Sequence, residues 1–191
     1  KVAAKAGLAE PPRLRRGRVL PAGPVALASL PGGGIAAEVL DAVGVSPAEP
    51  LLDLPGNRTD DEKGRPQPPR YENRPGALVI DATGVREIAQ LELLRQVLRP
   101  VMKGLEKSGR VIILATEADA VDGLEAKAVA QGIDGIMRTV GKELRGGSTA
   151  NLVLLAEGVQ ASGLVSTMSF LLEGRSAFVS GQVWRVAPAK T

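Results

Sequence analysis

ALVIDATGVREIAQLELLRQVLRPVMKGLEKSGRVIILAT, residues 77–116, holds the pattern that decides the fold. Its two ends, ALVIDA (77–82) and RVIILAT (110–116), are short continuous apolar runs, the signature of strands buried on both faces. Between them Leu91, Leu94, Leu98, Val101 and Leu105 recur at three- and four-residue spacing, which predicts a helix over 86–107. Pro100 falls inside that helix and should kink or locally break it, because proline lacks the amide hydrogen the helix needs. Strand, helix and strand in this order form a βαβ unit, which implies parallel strands joined by a right-handed crossover.

Working outward, the same alternation continues on both sides. Towards the C-terminus, a helix is expected over 122–145, with Val129, Ile133, Ile136, Val140 and Leu144 on one stripe. NLVLLA (151–156) reads as a strand, 161–173 as a helix and AFVSGQVWRV (177–186) as a last strand. Towards the N-terminus, PVALASL (24–30) is a strand, Pro31 to Gly34 a turn, 35–44 a short helix and LLDL (51–54) a second strand. Residues 55–75 hold five prolines and nine charges and read as a mobile loop. The expected architecture is a three-layer, doubly wound α/β domain over 24–186. An extended basic leader (1–23) precedes it and a short linker (187–191) follows it.

Composition narrows what such a domain can do. Its 191 residues suffice for one domain with a real core. Aromatic residues are only 2%, too few for stacking platforms on single-stranded nucleic acid. There is no histidine and no cysteine, which removes thiol nucleophiles, disulfides, the usual zinc ligands and the commonest general base. No apolar run approaches the roughly 20 residues needed to span a bilayer. We expect no metal, nucleic acid or membrane partner and a cytoplasmic location. Lys1, Lys5, Arg13, Arg15, Arg16 and Arg18 face only Glu10 in the leader, which suits either a solvated segment or contact with an acidic partner.

Three features carry possible chemistry. Gly32, Gly34 and Ala37 fit G-x-G-x-x-A between strand and helix, and Asp53 follows about 20 residues later, where a dinucleotide's ribose would be held. The alternative is a glycine-rich turn without a ligand. Arg95, Arg99, Lys103 and Lys107 recur every fourth residue on one helix. They form a basic ridge suited to an acidic carrier protein or a phosphopantetheine-bearing ligand, or simply a solvated helix face. Gly132, Gly135 and Gly141 weaken their helix and mark close approach by the sheet or a partner helix.

From residue 77 onward the chain resembles the short-chain dehydrogenase/reductase family. VLRPVMKGLEKSGRVIILAT (97–116), GIDGIMRTVGKELR (132–145) and SAFVSGQVWRV (176–186) carry the resemblance in the family's order and spacing. It implies a Rossmann- or flavodoxin-like sheet of order about 2-1-3-4-5-6. It also implies that the catalytic tyrosine and lysine fall on Ala126 and Ala130, with Thr116 at the serine position. No asparagine occurs in 85–107 for the family's fourth catalytic residue, and Lys127 is three places out of register on the helix. The leader and ALVIDATGV (77–85) more closely resemble the degenerate N-terminal domain of actinobacterial high-molecular-weight 3-oxoacyl-[acyl-carrier-protein] reductases. That resemblance implies a silent domain with no catalytic residue or cofactor of its own. The parent protein would use NADH or NADPH in an active domain beginning after Thr191. Partners would be that domain or another subunit, through 86–107 and 122–145, and acyl carrier protein. A ligand-sensing module, or an oxidoreductase using Thr116 and Lys127, are the alternatives.

Overall fold

The computed structural model describes residues 20–188, so most of the expected leader and the end of the expected linker lie outside the described residues. In chain order the elements are β1 (Val25–Ser29), α1 (Ile35–Val43), β2 (Thr59–Asp60), β3 (Pro66–Gln67), β4 (Ala77–Asp81), α2 (Leu91–Gly104), β5 (Arg110–Thr116), α3 (Leu124–Glu143), β6 (Thr149–Leu155), α4 (Ala161–Leu172) and β7 (Val183–Val186). Strands β1, β4, β5, β6 and β7 form one parallel sheet in that spatial order. Alternate residues of each strand serve opposite layers. Leu78 and Ile80 of β4 join the core under α2 and α3, while Ala77 and Val79 join the core under α1 and α4. The result is the expected three-layer α/β architecture, and burial on both faces explains why the strands are continuous apolar runs.

The expected second strand is reduced to a remnant. Beside β1 only Ala48 bridges, with its N–H on Val25 O (2.8 Å) and its C=O accepting from Leu27 N (3.0 Å). LLDL (51–54) is not a strand. It lies on α2, and Pro100 explains why. Having no N–H, Pro100 leaves the carbonyl of Gln96, four residues earlier, without a helical donor. Asp53 N–H fills that vacancy at 2.9 Å. The helix therefore runs unbroken through Pro100, contrary to the expected break. The Asp53 side chain reinforces the attachment: it is fully buried and accepts from Arg58 Nε (2.7 Å) and Arg95 Nη1 (2.5 Å), with Arg99 Nε at 3.5 Å.

The 55–75 stretch has structure of its own. It contains the β2–β3 hairpin, closed around Asp61, which accepts the backbone N–H groups of Lys63 and Arg65. Tyr71 then returns to accept Leu51 N–H on its hydroxyl (2.8 Å). In α3 the buried stripe passes through Met137 as well as Val129, Ile133 and Val140, and Ile136 is only half-buried. One crossover departs from the right-handed expectation. β5, β6 and β7 advance in one direction across the sheet, yet α3 covers one face and α4 the other. The β6–α4–β7 unit therefore has the hand opposite to β5–α3–β6.

The guanidinium of Arg58, with Arg95 and Arg99 beside it, holds the Asp53 carboxyl below its ordinary range despite the opposing effect of burial. A depressed folded-state pKa stabilises the fold above the unfolded value of about 3.9 and ceases to do so as pH falls through the folded value. Asp53→Asn should lower the urea midpoint at pH 7, and the gap from the parent chain should shrink towards pH 3. A gap independent of pH would show that the ionised carboxylate does not fasten this segment.

Candidate functional site

In open α/β sheets, ligands bind beyond the carboxyl ends of the strands, where the direction of winding reverses. Here that point lies between β1, whose chain leaves towards Ala48, and β4. The loop after β1 begins with a turn: Gly33 N–H donates to Leu30 O (2.8 Å), Pro31 stands second, and Gly32 has φ +76°. That is the type II pattern, in which only glycine sits easily at the third place. Gly32 is thus explained by the turn itself. Gly34 has extended backbone, and a Cβ there would meet nothing within 4 Å, so no close approach requires glycine. Ala37 is exposed, whereas Ala36 is fully buried against the sheet. The residue that packs helix against strand is therefore one place earlier than the motif places it.

Two of the amide groups at the start of α1 are already engaged. Gly34 N–H and Ala36 N–H both donate to Asp81 Oδ2 at 2.9 Å. The other oxygen, Oδ1, accepts Thr83 N–H (3.1 Å) and Thr83 Oγ1–H (2.5 Å). Asp81 ends β4, paired in register with Ser29 of β1, and is fully buried. A helix N-terminus attracts anions through free N–H groups and the helix dipole. In this chain the anion is its own carboxylate, reached across 47 residues. Gly33 makes the room: a Cβ there would lie 2.8 Å from Asp81 Oδ1. The two loops also touch backbone to backbone, since a Cβ on Gly84 would come within 2.4 Å of Gly32 Cα.

The carboxyl end of β5 is equally self-contained. Thr116 Oγ1–H donates to Thr83 O (2.8 Å) and accepts from Arg86 Nη2 (3.3 Å). Arg86 Nη1 also donates to the carbonyls of Thr83 (2.8 Å) and Val85 (2.9 Å). The hydroxyl at the expected serine position is thus held between main chain and guanidinium. Ala126 and Ala130 face inward from α3, at 7% and 9% exposure, and contribute only methyl groups. A cleft of about 220 Å³ lies beside Ala130, with the Asp134–Arg138 pair (3.0 Å) on its wall. Lys127 is exposed. The chain's single tyrosine, Tyr71, is bound to Leu51 in the segment covering α2, where burial raises its pKa.

A larger cleft, about 470 Å³, opens beside the carboxyl end of β1 among Leu27, Leu30, Pro50, Leu52, Leu93 and Val97, with Ser29, Glu49 and Gln96 as its polar members. No cation lines it. Asp53, expected to meet a ribose there, turns its carboxylate to the arginines instead. The residues present do not fit a dinucleotide diphosphate: the helix N-terminus is neutralised by Asp81, and a phosphate would meet a buried carboxylate. Sequence reading missed Asp81, Thr83 and Arg86; the one available signal was an acidic residue closing an otherwise apolar strand.

Neither a family model nor a curated protein matches the sequence. Solved structures do match by fold. A short-chain dehydrogenase from Mycobacterium smegmatis is similar over 95% of this chain and 99% of its own, with 15% identity and a TM-score of 0.55. Thermoplasma acidophilum aldohexose dehydrogenase is similar over 88% and 97%, with 8% identity and a TM-score of 0.55. A Brucella melitensis short-chain dehydrogenase/reductase, glucose/ribitol dehydrogenase, matches over 60% of this chain at 16% identity and a TM-score of 0.49; the chain spans 63% of that protein's length. The fold is thus the Rossmann-like fold of short-chain dehydrogenase/reductase structures.

Asp81→Ala removes a buried acceptor of four hydrogen bonds, and chemical denaturation should show a loss of about 2–3 kcal/mol. Thr83→Val, which removes one of them, should cost about 1 kcal/mol. Equal, small losses in both variants would show that the α1 terminus does not depend on this carboxylate.

Proposed function

We propose that this chain is a catalytically silent reductase-like domain whose work is structural: it packs against partners and assembles a larger enzyme. The Asp81 carboxylate seated at the N-terminus of α1 supports this reading most directly. It fills from within the place where the parent fold receives a phosphate, and no acid–base group stands at Ala126, Ala130 or Thr116 to use a cofactor. On the sequence resemblance, the parent is a 3-oxoacyl-[acyl-carrier-protein] reductase of fatty acid metabolism, in which a separate domain reduces the oxoacyl thioester with NADH or NADPH.

The contact surface in this reading is the outer side of α3, because the 51–74 segment crosses α2. Ala128, Gln131, Gly135 and Thr139 are exposed along α3, and a Cβ on Gly135 would meet nothing within 4 Å. The open space at Gly135 admits close approach by a second helix. The 470 Å³ cleft favours a second reading, a module that binds a ligand without converting it.

Calorimetric titration of the folded chain with NADH and then NADPH separates the two. The structural reading expects no saturable heat from the 470 Å³ cleft, and micromolar binding that Ser29→Trp in its lining abolishes would replace it with the sensing module. Sedimentation of the chain with and without Gly135→Glu tests the surface: the charge should abolish self-association or docking, and unchanged assembly would exclude α3.

A further inference from the structure

The expected basic ridge on α2 is divided by the fold. Arg95 is drawn to Asp53 and Glu92 and raised in pKa by both, so it is no longer available to a partner. Further along the helix, other cations replace it. The returning segment after β3 lays Arg70 and Arg74 opposite Arg99 and Lys103, around a cleft of about 320 Å³. Pro68, Pro69, Pro100 and the ring of Tyr71 form its apolar walls, and no acidic residue lines it. Among the described residues, the side chains of Arg70, Arg74 and Lys103 have no hydrogen-bond or ion-pair partner. Arg99 has only its 3.5 Å approach to Asp53, whose oxygens already serve Arg58 and Arg95. Glu72, between the two loop arginines, is exposed and outside the lining.

Four exposed like charges around one concavity repel one another, offset only in part by solvent, by Asp53 near Arg99 and by the carbonyl end of α2. An anion seated among them would offset the remainder. The cleft lies near the C-terminus of α2, whose carbonyl end is worth about half a negative charge, far less than the four cations. The geometry also discriminates among anions. Three guanidinium forks and an ammonium match a group with several oxygens and two charges better than a single carboxylate. A second cleft, about 310 Å³, shares Arg74 and Lys103 and adds Lys107 and Arg145. Its one acid, Glu106, accepts the backbone N–H of Lys107 (3.0 Å). We propose that these joined clefts form a binding site for a small phosphate or diphosphate ester. The anion subsite would then have moved from the terminus of α1, closed by Asp81, to the cover of α2.

The test is calorimetric titration of the full chain at low salt, using inorganic phosphate, pyrophosphate and poly-glutamate as probes. Saturable one-to-one binding is expected, tighter for pyrophosphate than for phosphate. It should weaken about tenfold or more in Arg74→Gln/Lys103→Gln and stay unchanged in Arg138→Gln, whose arginine pairs with Asp134 on α3. Arg70→Gln/Arg74→Gln, confined to the loop, should weaken it as well and guards against misfolding of the helix variant, with circular dichroism confirming each fold. An absence of saturable heat with both phosphates overturns the proposal, as does equal affinity in the cleft variants. Binding of poly-glutamate alone also overturns it, and would make the patch a surface for acidic protein.

Discussion

A carboxylate on one loop and the open end of a helix on another hold the centre of this molecule. Asp81 ends the second strand of the sheet, and α1 begins after the first. Their union fixes the angle at which α1 leaves the sheet and the spacing of the two loops. Three glycines around it are small for a reason: Gly33 clears the carboxylate, and Gly32 and Gly84 allow the two backbones to touch. Burial makes the arrangement demanding, because a fully enclosed carboxylate must have its lone pairs occupied. Four donors occupy them here.

The sheet was legible because its signal is local. The middles of its strands, LVI, VIILA and LVLL, are apolar without interruption, as strands covered on both sides are. LLDL presented the same signal for a different reason. It too is a short apolar run, but Leu52 packs against the core beneath α2 while Asp53 gathers arginines. Apolarity reports burial and not hydrogen-bond partners, so a strand and a strap look alike. Asp81 was illegible as a functional residue since its partners lie 45 and 47 residues away. Ala126 and Ala130 were placed by the resemblance alone, and both are buried on α3.

Pro100 shows how one defect organises a distant segment. The proline opens a carbonyl at Gln96, the carbonyl captures Asp53, and Asp53 captures Arg58 and Arg95. Tyr71 then ties the far end of the same segment back to Leu51. The stretch that read as a mobile loop thereby becomes a cover, and a helix face that read as a uniform ridge becomes one neutral half and one strongly positive half.

The reversed hand of the last crossover bears on when each layer of the fold can be completed. By returning to the first face of the sheet, α4 becomes the packing partner of α1. Val39, Leu40 and Val43 of α1 are buried among Leu164, Met168, Leu171 and Leu172. More than a hundred residues separate the two helices along the chain, so a ribosome releases the first long before the second exists. During that interval the apolar side of α1 has water or a chaperone for company. The β4–α2–β5–α3–β6 block supplies most of the core under α2 and α3 from contiguous sequence, and Ala26, Ala28 and Leu30 complete it. The layer completed last is therefore the one that joins α1 to α4.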